Sequence, residues 1–137
     1  MPKLCESEIE KMAIEELVEL GYAYLSGPDI APDALFAERN SYSEVLLKKR
    51  LTDAVVRLNP NLSYDVVLEA VNKVARISSS NLVADNEAFH KMLVDGVPVE
   101  YRQNGDIVGD YVKLVDFSED GVDNNEFLVV NQFTVIE

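Results

Sequence analysis

The first segment of the chain carries glutamates whose spacing suits metal chemistry. Glu6 and Glu10 are four residues apart, so a helix places both carboxylates on one face, where they could hold a hard divalent cation directly or through water. Glu16 lies on the same segment. The alternative is a solvated acidic face, which is the commoner role of charge on a helix surface. On the residues alone, the solvated face is the favoured interpretation.

Other residues with chemical potential stand alone in the sequence. His90 is the only histidine and could act as a base, but no orienting partner is evident, so a half-buried, hydrogen-bonded histidine is favoured. The run from Lys48 to Arg50 could contact phosphate, although such clusters in an acidic chain more often face solvent beside local acidic partners. Asp116 and Gln132 are candidate site residues, for which a turn-starting aspartate and a buried, hydrogen-bonded amide are the simpler interpretations.

Hydrophobic periodicity predicts the helix that would carry the glutamates. Apolar residues recur at helical spacing from Glu6 to Leu20, and Gly21 follows as a C-terminal stop. The predicted inward stripe comprises Ile9, Met12, Ala13, Leu17 and Leu20. We expect a short extended piece over residues 21–25 and a loop through Arg39.

Three further helical segments are predicted before residue 97. Their expected bounds are Ser41–Leu58, Ser63–Arg76 and Asp85–Asp95. The first ends at Asn59-Pro60 because proline disfavours helical geometry in the residue before it. Ser63 and Asp85 are the expected N-terminal caps, Gly96 ends the last segment, and residues 78–80 form a serine linker.

Residues 97–137 change to strand character. Val97–Tyr101 alternates, and Asn104-Gly105 precedes a second run from Ile107 to Phe117, which predicts a hairpin. Phe127–Ile136 is predicted to be a third, buried strand, because it is apolar on both faces. The expected fold class is α+β, with N-terminal helices packed on an antiparallel hairpin or meander. We expect a single domain over residues 1–137, in which 1–96 are mainly helical and 97–137 mainly strands.

The composition restricts the class of protein. The 137 residues contain 12 Lys and Arg against 25 Asp and Glu, a net charge of −13, which disfavours autonomous nucleic-acid binding. Cys5 is the only cysteine, so an intrachain disulfide framework is excluded. The start of the chain lacks the apolar run of a signal peptide, and no stretch approaches the length needed to span a bilayer. We therefore expect a cytoplasmic protein without a membrane partner.

Short motifs occur in a fixed order along nearly the whole chain. They are Ile9-Glu10, Leu20-Gly21-Tyr22, Gly27-Pro28-Asp29-Ile30-Ala31-Pro32, Glu38-Arg39, Arg50-Leu51, Leu58-Asn59-Pro60-Asn61-Leu62, Asn86, Phe89-His90, Asp95–Tyr101, Asp116-Phe117 and Phe127–Val135. In this order and spacing the chain resembles the N-terminal region of the restriction (R) subunit of type I restriction-modification enzymes.

The resemblance implies the opening part of an endonuclease domain of the PD-(D/E)xK kind. It is incomplete here, because the Asp and Glu-x-Lys motifs would follow Glu137, so the fragment itself is expected to be inactive. The resemblance further implies that the full-length subunit cleaves unmethylated foreign DNA after ATP-dependent translocation. It would use Mg²⁺ and ATP and assemble with methylation and specificity subunits. Of the family's metal-site elements only the first-helix glutamate is present, and its position matches Glu10, the implied catalytic and metal-binding residue.

Two other hypotheses stay open at this point. One is a stand-alone acidic module derived from this region, which binds or regulates another protein through its charge. The other is an unrelated hydrolase that uses His90.

Overall fold

The computed structural model describes residues 5–77 and 82–136, which form two compact units. The first unit comprises residues 1–45 and 126–137, and the second comprises residues 46–125. In sequence, the second unit is therefore inserted between the two parts of the first. The expectation of a single domain over the whole chain stays a prediction.

The first unit is built on a pair of short parallel strands. Its elements are the helix α1 (Glu6–Glu19), the strand β1 (Ala23–Ser26), a 3-10 helix (Gly27–Ile30) and the strand β4 (Leu128–Asn131). β1 and β4 pair in parallel, with Ala23 opposite Leu128 and Ser26 opposite Asn131. α1 contacts both strands. Parallel strands cannot be joined by a tight turn, and here the connection contains the whole second unit.

α1 has the predicted ends but a different inward face. Gly21 has φ +102°, and the N–H of Tyr22 donates to Leu17 O at 3.0 Å, so glycine ends the helix as expected. The predicted apolar stripe is wrong, because Leu20 is 76% exposed and no residue of α1 is fully buried. Two four-residue strands are narrow and cover only the strip of α1 that carries Glu10, Ile14 and Leu17.

The predicted helix over Ser41–Leu58 begins seven residues late, at Lys48. The cause lies in Arg39, whose guanidinium donates hydrogen bonds to the carbonyl oxygens of Tyr42 and Glu44 at 2.8–3.1 Å. Carbonyls bound to a side chain in this way close a loop over residues 39–44 instead of extending a helix. Ser41 and Ser43 add a local hydroxyl–hydroxyl bond in the same loop.

The second unit contains three helices and a hairpin. They are α2 (Lys48–Leu58), α3 (Tyr64–Ala75), α4 (Leu82–Asp95), β2 (Val97–Gln103) and β3 (Asp106–Val112), followed by a second 3-10 helix at Glu119–Asn124. Its buried core draws on α2, α3 and the hairpin and comprises Val55, Val66, Val67, Ala70, Val71, Val74, Val97, Val99, Val112 and Leu114. The amide of Asn59 fastens the end of α2 to Lys113, accepting from its N–H and donating to its carbonyl, both at 2.9 Å.

Local signals in the second unit are largely confirmed. Ser63 caps α3, its Oγ accepting from the N–H of Val66. Asn104 and Gly105 have positive φ and join β2 to β3 in the expected antiparallel hairpin. The cap expected at Asp85 is wrong, because Asp85 lies inside the first turn of α4. The serine linker at 78–80 lies outside the described residues.

The last strand differs most from its prediction. β4 has four residues rather than ten, is half-buried, and pairs with β1 rather than extending the hairpin into a meander. It ends at Asn131 because Gln132 turns into the left-handed region at φ +51° and so breaks the extended backbone. The α+β class is confirmed. In the described ranges, no helix has the length and apolar character needed to cross a membrane.

Candidate functional site

Glu10 is the predicted site residue that the first unit surrounds with specific partners. Its Oε1 accepts a hydrogen bond from Asn131 Nδ2 at 2.6 Å. Gln132 Nε2 donates to Oε2 at 2.9 Å and to Oε1 at 3.2 Å. Both carboxylate oxygens are thus held by amide donors that lie more than 120 residues away in sequence. Bonds from N–H groups to a carboxylate are among the stronger hydrogen bonds in proteins.

Tyr24 extends this cluster onto β1. Its hydroxyl donates to Asn131 Oδ1 at 2.7 Å. The amide oxygen of Asn131 therefore faces a donor, while the amide nitrogen faces the carboxylate of Glu10. We call these four residues, Glu10, Tyr24, Asn131 and Gln132, the carboxylate cluster.

The backbone beside the carboxylate cluster is closely packed. Gly27 is buried, and a Cβ added there would collide with the carbonyl oxygens of Asn131 and Gln132. Phe133 follows Gln132, and the centre of its ring lies 4.0 Å from the Arg39 guanidinium. Arg39 is only 2% exposed, and its three hydrogen bonds to main-chain carbonyls hold the guanidinium in place. Through the ring contact, the guanidinium in turn holds Phe133 and the segment that follows Gln132.

A pocket of about 430 Å³ opens over the carboxylate cluster. Besides the cluster it is lined by Ser7, Lys11, Ile14 and Glu15. The pocket also contains the carboxylate of Glu15, which forms an exposed ion pair with Lys11 at 3.9 Å. Glu10 differs from Glu15 because side-chain amides hold its carboxylate oxygens. The residues described do not complete a magnesium site, because they contain no group of three or more His, Cys, Asp or Glu side chains suited to a metal ion. Mg²⁺ usually needs oxygen ligands in octahedral geometry, and among the described residues that line this pocket Glu10 is the carboxylate held by side-chain amides.

The other glutamates of α1 lie outside the cluster. Glu6 and Glu16 are exposed on α1, which agrees with the solvated acidic face. Although Glu6 is one helical turn from Glu10, only Glu10 reaches the amides of β4 and the residue after it. Gln132 is hydrogen-bonded, as its simpler interpretation expects, but it is exposed rather than buried.

The remaining candidates belong to the second unit and have separate surroundings. His90 is exposed on α4, so the expected half-buried position is wrong. The basic run opens α2, and Lys49 pairs with Asp53 at 3.1 Å, as expected for a solvent-facing cluster. Asp116 starts a turn: the hydroxyl of Ser118 at 2.6 Å, and then the N–H of Ser118 at 3.0 Å, lower the pKa of the Asp116 carboxyl.

The sequence interpretation missed Tyr24, Asn131 and Arg39 as parts of the site. Asn131 and Gln132 are adjacent amides inside an otherwise apolar run, Phe127–Ile136. Two polar residues in a predicted buried strand need partners, and this was the available signal. For Tyr24 and Arg39 the sequence holds no comparable signal, since the contact of Tyr24 with Asn131 and that of Arg39 with the Phe133 ring join residues far apart in sequence.

Comparison with known proteins gives consistent relatives. The family described as type I restriction enzyme R protein N terminus matches residues 3–137. The chain is 36% identical over 127 residues to a protein named as the type I restriction enzyme MjaIXP endonuclease subunit of Methanocaldococcus jannaschii, covering 93% of this chain. It is 37% identical over 132 residues to the type I restriction enzyme HindI endonuclease subunit of Haemophilus influenzae, covering 96% of this chain. In both cases it spans 12% of the relative's length. No solved structure matches.

Proposed function

Because the chain belongs to the family of type I restriction enzyme R protein N termini, we propose that it is the N-terminal part of the nuclease region of a restriction subunit. The full-length subunit would cleave unmethylated foreign DNA after ATP-dependent translocation. Support comes from the match over residues 3–137 and from two relatives that are named as endonuclease subunits. The subunit would act in the cytoplasm together with methylation and specificity subunits.

The observation that carries the site proposal is the carboxylate of Glu10 held by Asn131 and Gln132. We propose that Glu10 contributes one carboxylate to the catalytic, metal-binding site of the full-length subunit. The other acidic ligands and the lysine would come from the Asp and Glu-x-Lys strands of a longer polypeptide. Mg²⁺ and ATP are the proposed cofactors of that subunit.

The 137-residue chain itself is proposed to be inactive in DNA cleavage. The support is that the described residues contain no group of three or more His, Cys, Asp or Glu side chains suited to a metal ion, since metal-dependent phosphodiester cleavage commonly needs several ligands around its metal ions. The net charge of −13 also favours a role in which other parts of the subunit hold the DNA.

The test of this proposal is Glu10→Gln in the assembled restriction enzyme. The substitution keeps the size of the side chain and removes its charge. We expect DNA cleavage to fall by about 100-fold, the upper range for disturbing a metal site, while ATP hydrolysis stays at the wild-type rate. Glu16→Gln is the matched control, because Glu16 is exposed on the same helix, and it should change neither activity. Cleavage by Glu10→Gln at the wild-type rate would remove Glu10 from the site.

The size of the native gene product separates this proposal from the stand-alone acidic module. An antibody raised against this chain should detect a product several times heavier than 15.3 kDa, since the matched relatives are about eight times longer. A product of 15.3 kDa in the source cell would instead favour the module.

A further inference from the structure

We propose that Asn131 and Gln132 are positioning residues for the carboxylate of Glu10, and that Tyr24 supports the Asn131 amide in the orientation that faces Glu10. The hydrogen-bond network stands on the geometry alone, whereas its catalytic meaning rests on the proposed function of Glu10. These roles belong to residues on three separate elements of the first unit: α1, β1, and β4 with the residue after it.

The backbone at Gln132 is the first argument. Successive side chains of a strand point to opposite faces, so Asn131 and Gln132 in a continued strand would diverge. Instead, Gln132 has φ +51°, and its amide reaches the same carboxylate as that of Asn131. A left-handed backbone costs about 1 kcal/mol or more for a residue other than glycine. The contact with Glu10 is the interaction that this conformation makes possible.

The hydroxyl of Tyr24 is the second argument. A primary amide has one accepting oxygen and one donating nitrogen, and rotating it by half a turn exchanges them. The carboxylate of Glu10 has only accepting oxygens, and the reversed amide would bring the Asn131 oxygen against a carboxylate oxygen now 2.6 Å from the amide nitrogen. Glu10 therefore selects the orientation in which the Asn131 nitrogen faces it. The Tyr24 hydroxyl donates to the remaining Asn131 Oδ1 at 2.7 Å and so supports the amide in this orientation.

The consequence is a carboxylate with a fixed direction before any ligand arrives. Asn131 Nδ2 and Gln132 Nε2 hold its two oxygens from the side of β4, and Glu10 lines the pocket together with these two residues. A group that is already oriented loses less freedom when a ligand or substrate binds. Glu16, which is exposed on the same helix, serves as the internal comparison.

Nuclear magnetic resonance of the side-chain amide groups tests the network directly. In the ¹⁵N-labelled chain, Glu10→Gln should move the side-chain NH₂ signals of both Asn131 and Gln132. Glu16→Gln should leave both signals in place. Tyr24→Phe should move the Asn131 signal more than that of Gln132, and the matched control Tyr64→Phe should move neither, because Tyr64 is exposed on α3. Unchanged Asn131 and Gln132 signals in a folded Glu10→Gln variant would overturn the proposal.

Cleavage by the assembled enzyme provides a second test that does not depend on folding of the isolated chain. Asn131→Asp replaces a donor with a second carboxylate beside Glu10. Cleavage should fall at least 10-fold. ATP hydrolysis should remain at the wild-type rate.

The outcomes of the two experiments distinguish the two proposals. Wild-type cleavage by Asn131→Asp, together with a strong defect in Glu10→Gln, would overturn the positioning role and leave the proposed function in place. A defect in Asn131→Asp that is accompanied by loss of ATP hydrolysis would also overturn it, because such a loss indicates general misfolding. Wild-type cleavage by Glu10→Gln would remove Glu10 from the proposed catalytic site, while the amide signals would still decide whether the network exists.

Discussion

Replacing Gly27 by alanine adds one methyl group at the point where β1 meets the backbone of Asn131 and Gln132. The added Cβ would lie 2.5 Å from Asn131 O and 2.6 Å from the carbonyl carbon of Gln132. Ordinary contacts begin at 3.4 Å and Gln132 O lies closer still to the added Cβ, so the two segments must separate by at least about 0.9 Å. Gly27 does not have a positive φ, so alanine fits its backbone conformation and only space opposes the change.

The effect on the carboxylate cluster follows from the distances. Where Gln132 moves by about 0.9 Å along the bond from its Nε2 to Glu10 Oε2, that bond lengthens from 2.9 Å to about 3.8 Å, beyond the usual limit for a hydrogen bond. Overpacking costs about 1–3 kcal/mol, and a hydrogen bond to a charged group contributes about 1.5–3 kcal/mol. Because Gln132 is exposed, we use the lower part of the second range and expect a total cost of about 3 kcal/mol.

Hydrogen exchange of the main-chain amides in β1 and β4 measures this cost within the first unit. Gly109→Ala is the matched control, because nothing lies within 4 Å of a Cβ added there. Gly27→Ala should lose exchange protection by about 100-fold, which corresponds to about 3 kcal/mol, and should move the side-chain amide signals of Asn131 and Gln132. Gly109→Ala should leave both unchanged. Equal protection of β1 and β4 in the two variants would refute the close-packing argument.

Two further predictions concern the second unit. Asn59→Ala removes one bond to Val55 O and two to Lys113, so the free energy of unfolding should fall by about 3 kcal/mol at about 1 kcal/mol for each bond. Chemical denaturation followed by circular dichroism tests this, and a change no larger than that of the exposed control Asn61→Ala would contradict it. Ser118→Ala should raise the lowered pKa of Asp116 towards its ordinary value. The stabilising contribution of Asp116 is present above its unfolded pKa and is lost as the pH falls through the folded pKa, and an unchanged carboxyl titration by nuclear magnetic resonance would contradict the role of Ser118.

Local chemistry explains the parts of the fold that the sequence predicted well. Gly21 ends α1, Ser63 caps α3, and Asn104-Gly105 turns the hairpin. Each of these signals acts over a few residues, and the physical rule needs no knowledge of distant partners. Glu10 was predicted from the family resemblance rather than from a local signal. In the structure its carboxylate accepts hydrogen bonds from Asn131 and Gln132.

The errors arose where a side chain outside the predicted segment, or a distant strand, decides the outcome. The start of α2 depends on the guanidinium of Arg39, which binds two carbonyls of the residues expected to be helical. The partner of β4 depends on β1, and an apolar run carries no information about which strand it will join. The role of Tyr24 follows from that pairing, so periodicity within either segment could not have revealed it.

The discontinuous first unit has a consequence for protein synthesis. Glu10 leaves the ribosome 121 residues before Asn131, its partner. At about 5–20 residues per second, synthesis of the residues between Glu10 and Asn131 takes about 6–24 s. During that interval α1 has neither β4 nor its amides to pack against, whereas the inserted unit is continuous in sequence and can fold as soon as its own residues are made. The carboxylate cluster can therefore form only after the inserted unit has been synthesised.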